Sequence, residues 1–156
     1  MNKPAGDKDA RRVVVQNRKA RHEYHVIETW EAGLVLQGTE VKSLREGKGN
    51  LQDAYARVDR GEVWLHNMHI SPYEQGNRFN HDPLRPRKLL LHSREIRKLI
   101  GQVEKAGLTL VPLDVHFSRG IAKVNLALVR GKQLHDKRED IKKRDAQREM
   151  QRALKE

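Results

Sequence analysis

Asn17, Arg18, Lys19, Arg21 and His22 place five polar or basic side chains within six residues, just ahead of a strand-like run. Arg and Lys neutralise phosphate, and Asn and His can address base edges, so the cluster has the chemistry of nucleic-acid contact. Taken locally it reads equally as a solvated basic lead-in. Glu31 is unusual beside so much positive charge. It is either a surface carboxylate in an ion pair or an acceptor for exposed base donors, which a cationic surface otherwise lacks. Catalytic patterns are poor. Gly33-x4-Gly38 has P-loop glycine spacing, but Thr39-Glu40 follows, so the phosphate-binding Lys and the metal-binding hydroxyl are both missing. There is no Gly-x-Ser-x-Gly elbow. His66-x-x-His69 resembles a metal pair, yet on a strand those positions face opposite sides, and no Cys or clear carboxylate completes a site. Surface histidines or RNA contacts are the better reading. A nuclease built on His66, His69 and Asp53 is the rival enzymatic one. The expectation is a protein without metal or cofactor that is not an enzyme.

The C-terminal stretch carries the densest charge. From 131 to 156 there are nine Lys or Arg and six Asp or Glu, a net of +3. Such a segment buries too little apolar surface to offset the entropy of ordering. It is expected to be disordered when free and to order on a polyanion. A plain solubility tail is the simpler alternative. Against it, Asp136-Lys137-Arg138-Glu139-Asp140-Ile141-Lys142 mixes signs at three- and four-residue spacing, which supports a helix. Leu134, Ile141, Met150 and Leu154 are sparse apolar contacts for it, so it should form mainly when docked.

The chain as a whole has 156 residues and a net charge of +11, with a pI of about 10.1. That length suits one compact domain plus tails. The charge points to a polyanionic partner, with nucleic acid ahead of an anionic membrane surface. No apolar run approaches a membrane span, no signal-peptide pattern opens the chain, and there is no Cys. A cytoplasmic protein fits. Aromatic residues make up only 4%, which disfavours an open single-strand binder with stacking platforms and favours a folded RNA read by shape and backbone.

The elements that must position these residues are mostly short strands. Val13–Val15 is a short apolar lead. Tyr24–Leu36 alternates imperfectly, with Gly33 as a candidate bulge or bend. Thr39 opens a short helix closed by Gly47. Strands follow at Ala54–Asp59 and Glu62–Met68, joined by an Arg60-Gly61 hairpin turn. Residues 71–87 read as a long loop, in which the Arg85–Lys88 run could rim a groove or simply be solvated. Lys88–His92 is a strand, and Ser93 can cap a helix to about Ala106, stopped by Gly107. Leu108–Phe117 and Ile121–Val129 form a last pair around Ser118-Arg119-Gly120. In the final strand Val124, Leu126 and Leu128 face one way and Lys123, Asn125 and Ala127 the other. The expected fold is mainly β: a six-stranded antiparallel OB-like barrel with a few short flanking helices and a basic tail. A split α+β sheet is the alternative. The expected divisions are a flexible segment 1–12, a barrel 13–130 and a tail 131–156.

The stretches Asn17-Arg18-Lys19-Ala20-Arg21-His22-Glu23-Tyr24, Glu31-Ala32-Gly33-Leu34, Leu36 to Arg45, Arg87 to Leu91, and Gly131-Lys132 with His135-Asp136-Lys137-Arg138 are specific when taken together. In combination they resemble the small protein B family of SsrA-binding proteins, partners of transfer-messenger RNA in bacterial ribosome rescue. They span nearly the whole chain in order. Gln133-Leu134 departs from a more basic pair common in the family. The resemblance implies an OB-type barrel that binds the tRNA-like domain of transfer-messenger RNA through Asn17, Glu31, Leu90 and Lys123, with Arg18, Lys19, His22 and Tyr24 nearby. It implies a tail that enters the empty messenger channel of a stalled ribosome and folds there into a helix. Gly131, Lys132, His135, Asp136, Lys137, Arg138, Ile141 and Lys142 would make decoding-centre and channel contacts. Elongation factor Tu would share the delivery complex, no membrane would be involved, and the free chain would be a monomer.

Overall fold

A computed structural model describes residues 11–103, 107–131, 144 and 146–153. In chain order the elements are β1 (Arg12–Gln16), α1 (Arg18–Glu23), β2 (Tyr24–Leu34), α2 (Gly38–Arg45), β3 (Gly49–Asn50), β4 (Tyr55–Asp59), β5 (Glu62–His66) and β6 (His69–Ile70). A 3-10 turn follows (Glu74–Phe79), then β7 (Arg87–Leu90), α3 (Ser93–Val103), β8 (Leu108–Ser118), β9 (Ile121–Gly131) and a final helix α4 over 146–153.

Every strand pairing is antiparallel. The main sheet runs β1-β8-β4-β5-β7-β2-β9, and β9 returns to pair with β8. Six strands therefore close a ring, as the spacing of the apolar runs predicts. β1 is added to the same edge of β8 that β4 uses further along: Ala56 meets Leu110, and Val13 meets His116. The apolar lead Val13–Val15 is thus a strand in its own right. β3 and β6 form a separate two-stranded ribbon. Both predicted hairpin turns hold. Arg60-Gly61 and Arg119-Gly120 all have positive φ, the conformation whose twist matches that of the flanking strands.

Inward-facing side chains fill the ring. Leu65, Leu89, Leu110, Val124, Leu126 and Leu128 are fully buried with Leu44 of α2 and Leu99 of α3. A second, smaller apolar cluster lies on the outer face of β8 and β9. There Val111, Leu113, Ala127 and Val129 pack under Ala20 of α1, with Tyr24 against them. Both faces of β8 are therefore covered along most of its length, and α1 is anchored to the outside of the barrel.

Four sequence expectations need correction. The bulge in β2 falls between Val26 and Glu28. Gly33 lies in regular pairing with both Leu90 and Lys123. Residues 71–87 are not a plain loop, since they hold the 3-10 turn and the start of β7. The Arg85–Lys88 run does not rim a groove. Arg87 is fully buried and Arg85 partly so, and both guanidiniums grip the buried carboxylate of Glu40. Burial pushes the Glu40 carboxyl up, but the Arg85 contact, the Gln37 N–H at 2.8 Å and the Arg87 contact outweigh it and hold the group below the usual range. Lys88 meets Glu62 at 3.4 Å. The cap of α3 also differs. The Glu95 side chain accepts from the His92 N–H at 3.0 Å, so Ser93 lies inside the helix.

Candidate RNA interface

α1 is set by the residue that caps it. Asn17 is buried, its Oδ1 accepts from the Ala20 N–H at 3.1 Å, and its Nδ2 donates to Pro112 O at 2.9 Å and Leu51 O at 3.2 Å. Its backbone N–H donates to Leu113 O at 2.8 Å. The carboxamide is therefore occupied on both ends, capping the helix and pinning it to β8. The expectation that Asn17 contacts RNA directly does not fit this geometry; it positions α1 instead. Arg18, Lys19, Arg21 and His22 stay exposed on that helix, and Lys19 lies 3.6 Å from Asp53. Tyr24, half-buried, lines a cavity of about 330 Å³ with Glu23, Gln52, Asp53, Tyr55 and Thr109.

Beyond α1, the same outer face carries a polar lattice built by strand register. Alternation puts Asp114 and His116 of β8, Lys123 and Asn125 of β9, and Glu31 and Gly33 of β2 outward, since their neighbours Val115, Val124, Ala32 and Leu34 are core. One row reads Asp114, Asn125, Glu31; the next reads Val13, His116, Lys123, Gly33, Leu90. Three predicted residues far apart in sequence, Glu31, Leu90 and Lys123, are thereby brought together.

The charges in the lattice are paired. Lys123 Nζ donates to Glu31 Oε1 at 3.0 Å. His116, fully buried, faces a carboxylate at each ring nitrogen: Nε2 lies 3.0 Å from Glu31 Oε2 and Nδ1 lies 2.7 Å from Asp114 Oδ1. Arg11 Nη2 lies 3.6 Å from that same Asp114 oxygen. His116 and then Lys123 hold the Glu31 carboxyl below its ordinary range, against a smaller opposing effect of burial. Half of the Glu31 side chain remains open to solvent (46%), so a carboxylate buttressed from beneath is presented outward. Leu90 beside it is 53% exposed.

The sequence reading missed Arg11, Asp114, His116 and Asn125. A signal for two of them is present. Asp114 and His116 are polar residues two apart in the otherwise apolar run Leu108–Phe117, hence on one strand face. His66 stacks on Tyr55 with ring centroids 5.3 Å apart, and His69 belongs to a different strand, β6. Among the described residues, no group of three His, Cys, Asp or Glu could hold a metal ion, and no helix is long and apolar enough to cross a membrane. Gly131, expected in the tail, is the last residue of β9 and pairs with Tyr24. Lys132, His135, Asp136, Lys137, Arg138, Ile141 and Lys142 lie outside the described residues. Further along, 146–153 is helical and exposed.

Known proteins match the chain over nearly its whole length. Residues 14–156 match the model of the SmpB protein family. An SsrA-binding protein of Moorella thermoacetica is 65% identical over 146 residues, covering 93% of this chain and 94% of its own. One of Geobacillus thermodenitrificans is 63% identical over 145 residues, covering 93% and 94%. A chain solved in work described as "tmRNA-SmpB: a journey to the center of the bacterial ribosome" superposes with a TM-score of 0.66 at 53% identity, covering 81% of this chain and 93% of that one.

Proposed function

The chain belongs to the SmpB family, and from that premise we propose that it is the RNA-binding partner of transfer-messenger RNA in ribosome rescue. The barrel binds the tRNA-like domain of that RNA through the outer face of β8, β9 and β2. The observation that carries this reading is the convergence of Glu31, Lys123 and exposed Leu90 on one face, contiguous with the exposed cations of α1. Arg18, Lys19, Arg21 and Lys123 neutralise phosphates and supply salt-sensitive affinity. Asn17 fixes the helix that carries three of them.

The segment after Gly131 has the other task. In a stalled ribosome it enters the empty messenger channel. Lys132, Lys137, Arg138 and Lys142 pair with ribosomal RNA phosphates, and His135 stacks on a base. Asp136 orients its cationic neighbours, and Ile141 supplies an apolar contact for the helix. Delivery proceeds with elongation factor Tu, in the cytoplasm, with a protein that is a monomer when free. The protein makes and breaks no bond itself; peptidyl transfer belongs to the ribosome.

This division of labour predicts separable defects. Lys123→Met lowers affinity for the tRNA-like domain. Replacing Asp136, Lys137 and Arg138 together by Ala leaves that affinity intact and abolishes tagging of stalled peptides. Loss of RNA binding in the triple variant, or full tagging by it, contradicts the assignment.

A further inference from the structure

α3 has an apolar edge that the barrel core does not use. Leu99 is fully buried, and Ile96 and Val103 pack against the core beside it. Ile100, one position on from Leu99, is exposed. It borders a groove of about 570 Å³ between α3 and the β4–β5 hairpin, together with Val58, Val103, Leu110 and Tyr55. The groove follows from the strand pairing. Among the described residues β4 and β8 pair only at Ala56 and Leu110, so the hairpin splays away from β8 and α3 closes the gap incompletely. Arg57 and Arg60 border the same groove. Both are exposed, and neither forms an ion pair among the described residues.

α4 carries the matching surface. Ala146, Met150 and Ala153 recur at i, i+4 and i+7 and share one helix face; Leu154 continues the spacing in the sequence. The stripe is exposed, Met150 by 67%. Glu149 stands one position from Met150, about 100° round the helix, and the sequence repeats that pairing as Asp145-Ala146. Arg148 falls on the opposite side. An apolar stripe with an acidic flank thus meets an apolar groove with a basic rim. A helix this short is marginal alone in water, so α4 calls for a surface to lie on. That surface is within reach. β9 ends at Gly131, and Arg130 beside it pairs with Leu108, two positions before Leu110 in the groove. Residues 132–143 connect Gly131 to the helix, and a chain of that length reaches up to about 40 Å, against about 5 Å for each strand it must pass. Because both surfaces belong to one chain, an affinity of only about millimolar suffices to seat the helix.

We propose that α4 docks into this groove in the free protein, with Met150 against Ile100 and Val58 and Glu149 facing Arg57 and Arg60. The distal tail is then parked on the barrel. A segment held to the barrel at both ends cannot run along the messenger channel, so α4 must leave the groove when the tail engages the ribosome. That release rests on the proposed role of the tail; the docking does not.

The test is paramagnetic relaxation in the free full chain. The chain has no Cys, so Gln151→Cys carries a single nitroxide, on the side of α4 away from the stripe. Amide signals of Val58, Ile100 and Val103 are expected to lose most of their intensity. Those of Ala32 and Gly33 on β2, across the ring from β4, keep theirs. Met150→Asp restores the lost signals. Arg57→Glu restores them in part, and combining it with Glu149→Arg brings the loss back, which a merely unravelled α4 would not do. A loss spread evenly over the barrel, or one that Met150→Asp leaves unchanged, overturns the inference. So does an equal loss when the nitroxide is carried by a separate, isotopically unlabelled chain, because the occupant of the groove is then a second copy.

Discussion

Glu40→Gln is the sharpest probe of what holds the barrel together. The carboxylate is fully buried and accepts from Arg85, from Arg87 and from the Gln37 N–H. Arg87 is also fully buried, and its other partners are carbonyls, Met68 O at 2.6 Å and Pro83 O at 3.1 Å. Glutamine keeps the size and one acceptor but removes the charge and points an N–H₂ at a guanidinium. Breaking a buried pair from one side costs about 3–5 kcal/mol, because the remaining charge is left uncompensated. For a chain of this size that corresponds to a fall of roughly 10–15 °C in melting temperature. Thermal unfolding followed by circular dichroism at neutral pH measures it. Glu46→Gln is the control. Its carboxylate is exposed and meets Lys48 at 3.2 Å, so the change should be within about 0.5 kcal/mol. The pH dependence adds a second check. The Glu40 carboxyl is held below its ordinary range in the fold. Its stabilisation is therefore complete above the unfolded carboxylate pKa and is lost as pH falls through the folded value. Wild type and Glu40→Gln should converge in stability under acid conditions. A Glu40→Gln protein that melts within about 2 °C of wild type at pH 7 would refute the claim that this ion triad is a structural keystone.

Asn17→Ala removes a helix cap and two bonds to carbonyls. It should cost about 2 kcal/mol or somewhat more and weaken RNA binding through displacement of α1, read out by thermal melting beside a binding titration. Lys123→Met should reduce the slope of log affinity against log salt by about one and leave melting within about 0.5 kcal/mol. Glu31 is held ionised by His116 and Lys123. Its contribution to RNA binding should be constant above the ordinary carboxylate range and lost as pH falls through its lowered folded value, a dependence that Glu31→Gln abolishes in a binding titration. His116→Ala takes a buried ring from between two carboxylates. It should lower both stability and RNA affinity, whereas His116→Asn, which keeps one donor, should recover part of the affinity in the same assay.

The strands, the hairpin turns and the ring were legible because their signals are local: alternation of apolar residues, Arg-Gly turns and a helix stop at Gly47. The candidate interface was legible in part. Glu31 is conspicuous as a carboxylate in a basic region, and the face shared by Lys123 and Asn125 follows from strand alternation. The partnership of Glu31 with His116, 85 positions away, has no local signature; it exists only once β8, β9 and β2 are in register. Arg87 shows the same limit from the opposite side. In Arg85-Pro86-Arg87-Lys88 it looks solvated, and only the fold brings Glu40 to it across 47 positions. Asn17 was expected at the RNA contact, but its polarity is spent inward on Leu51, Pro112 and Ala20. Gly33 was read as a bulge or bend, whereas the bulge falls at Val26–Glu28, where cross-strand pairing rather than composition sets the register.

The central claim is specific recognition of a folded RNA by the outer face of the barrel. The most direct measurement is equilibrium binding of the full chain to the tRNA-like domain of transfer-messenger RNA, in moderate salt, with excess bulk tRNA as competitor. Tight binding that survives the competitor and is weakened in Lys123→Met is the predicted result. Binding erased equally by tRNA and by unstructured oligonucleotides would mean a generic basic surface and would contradict the account.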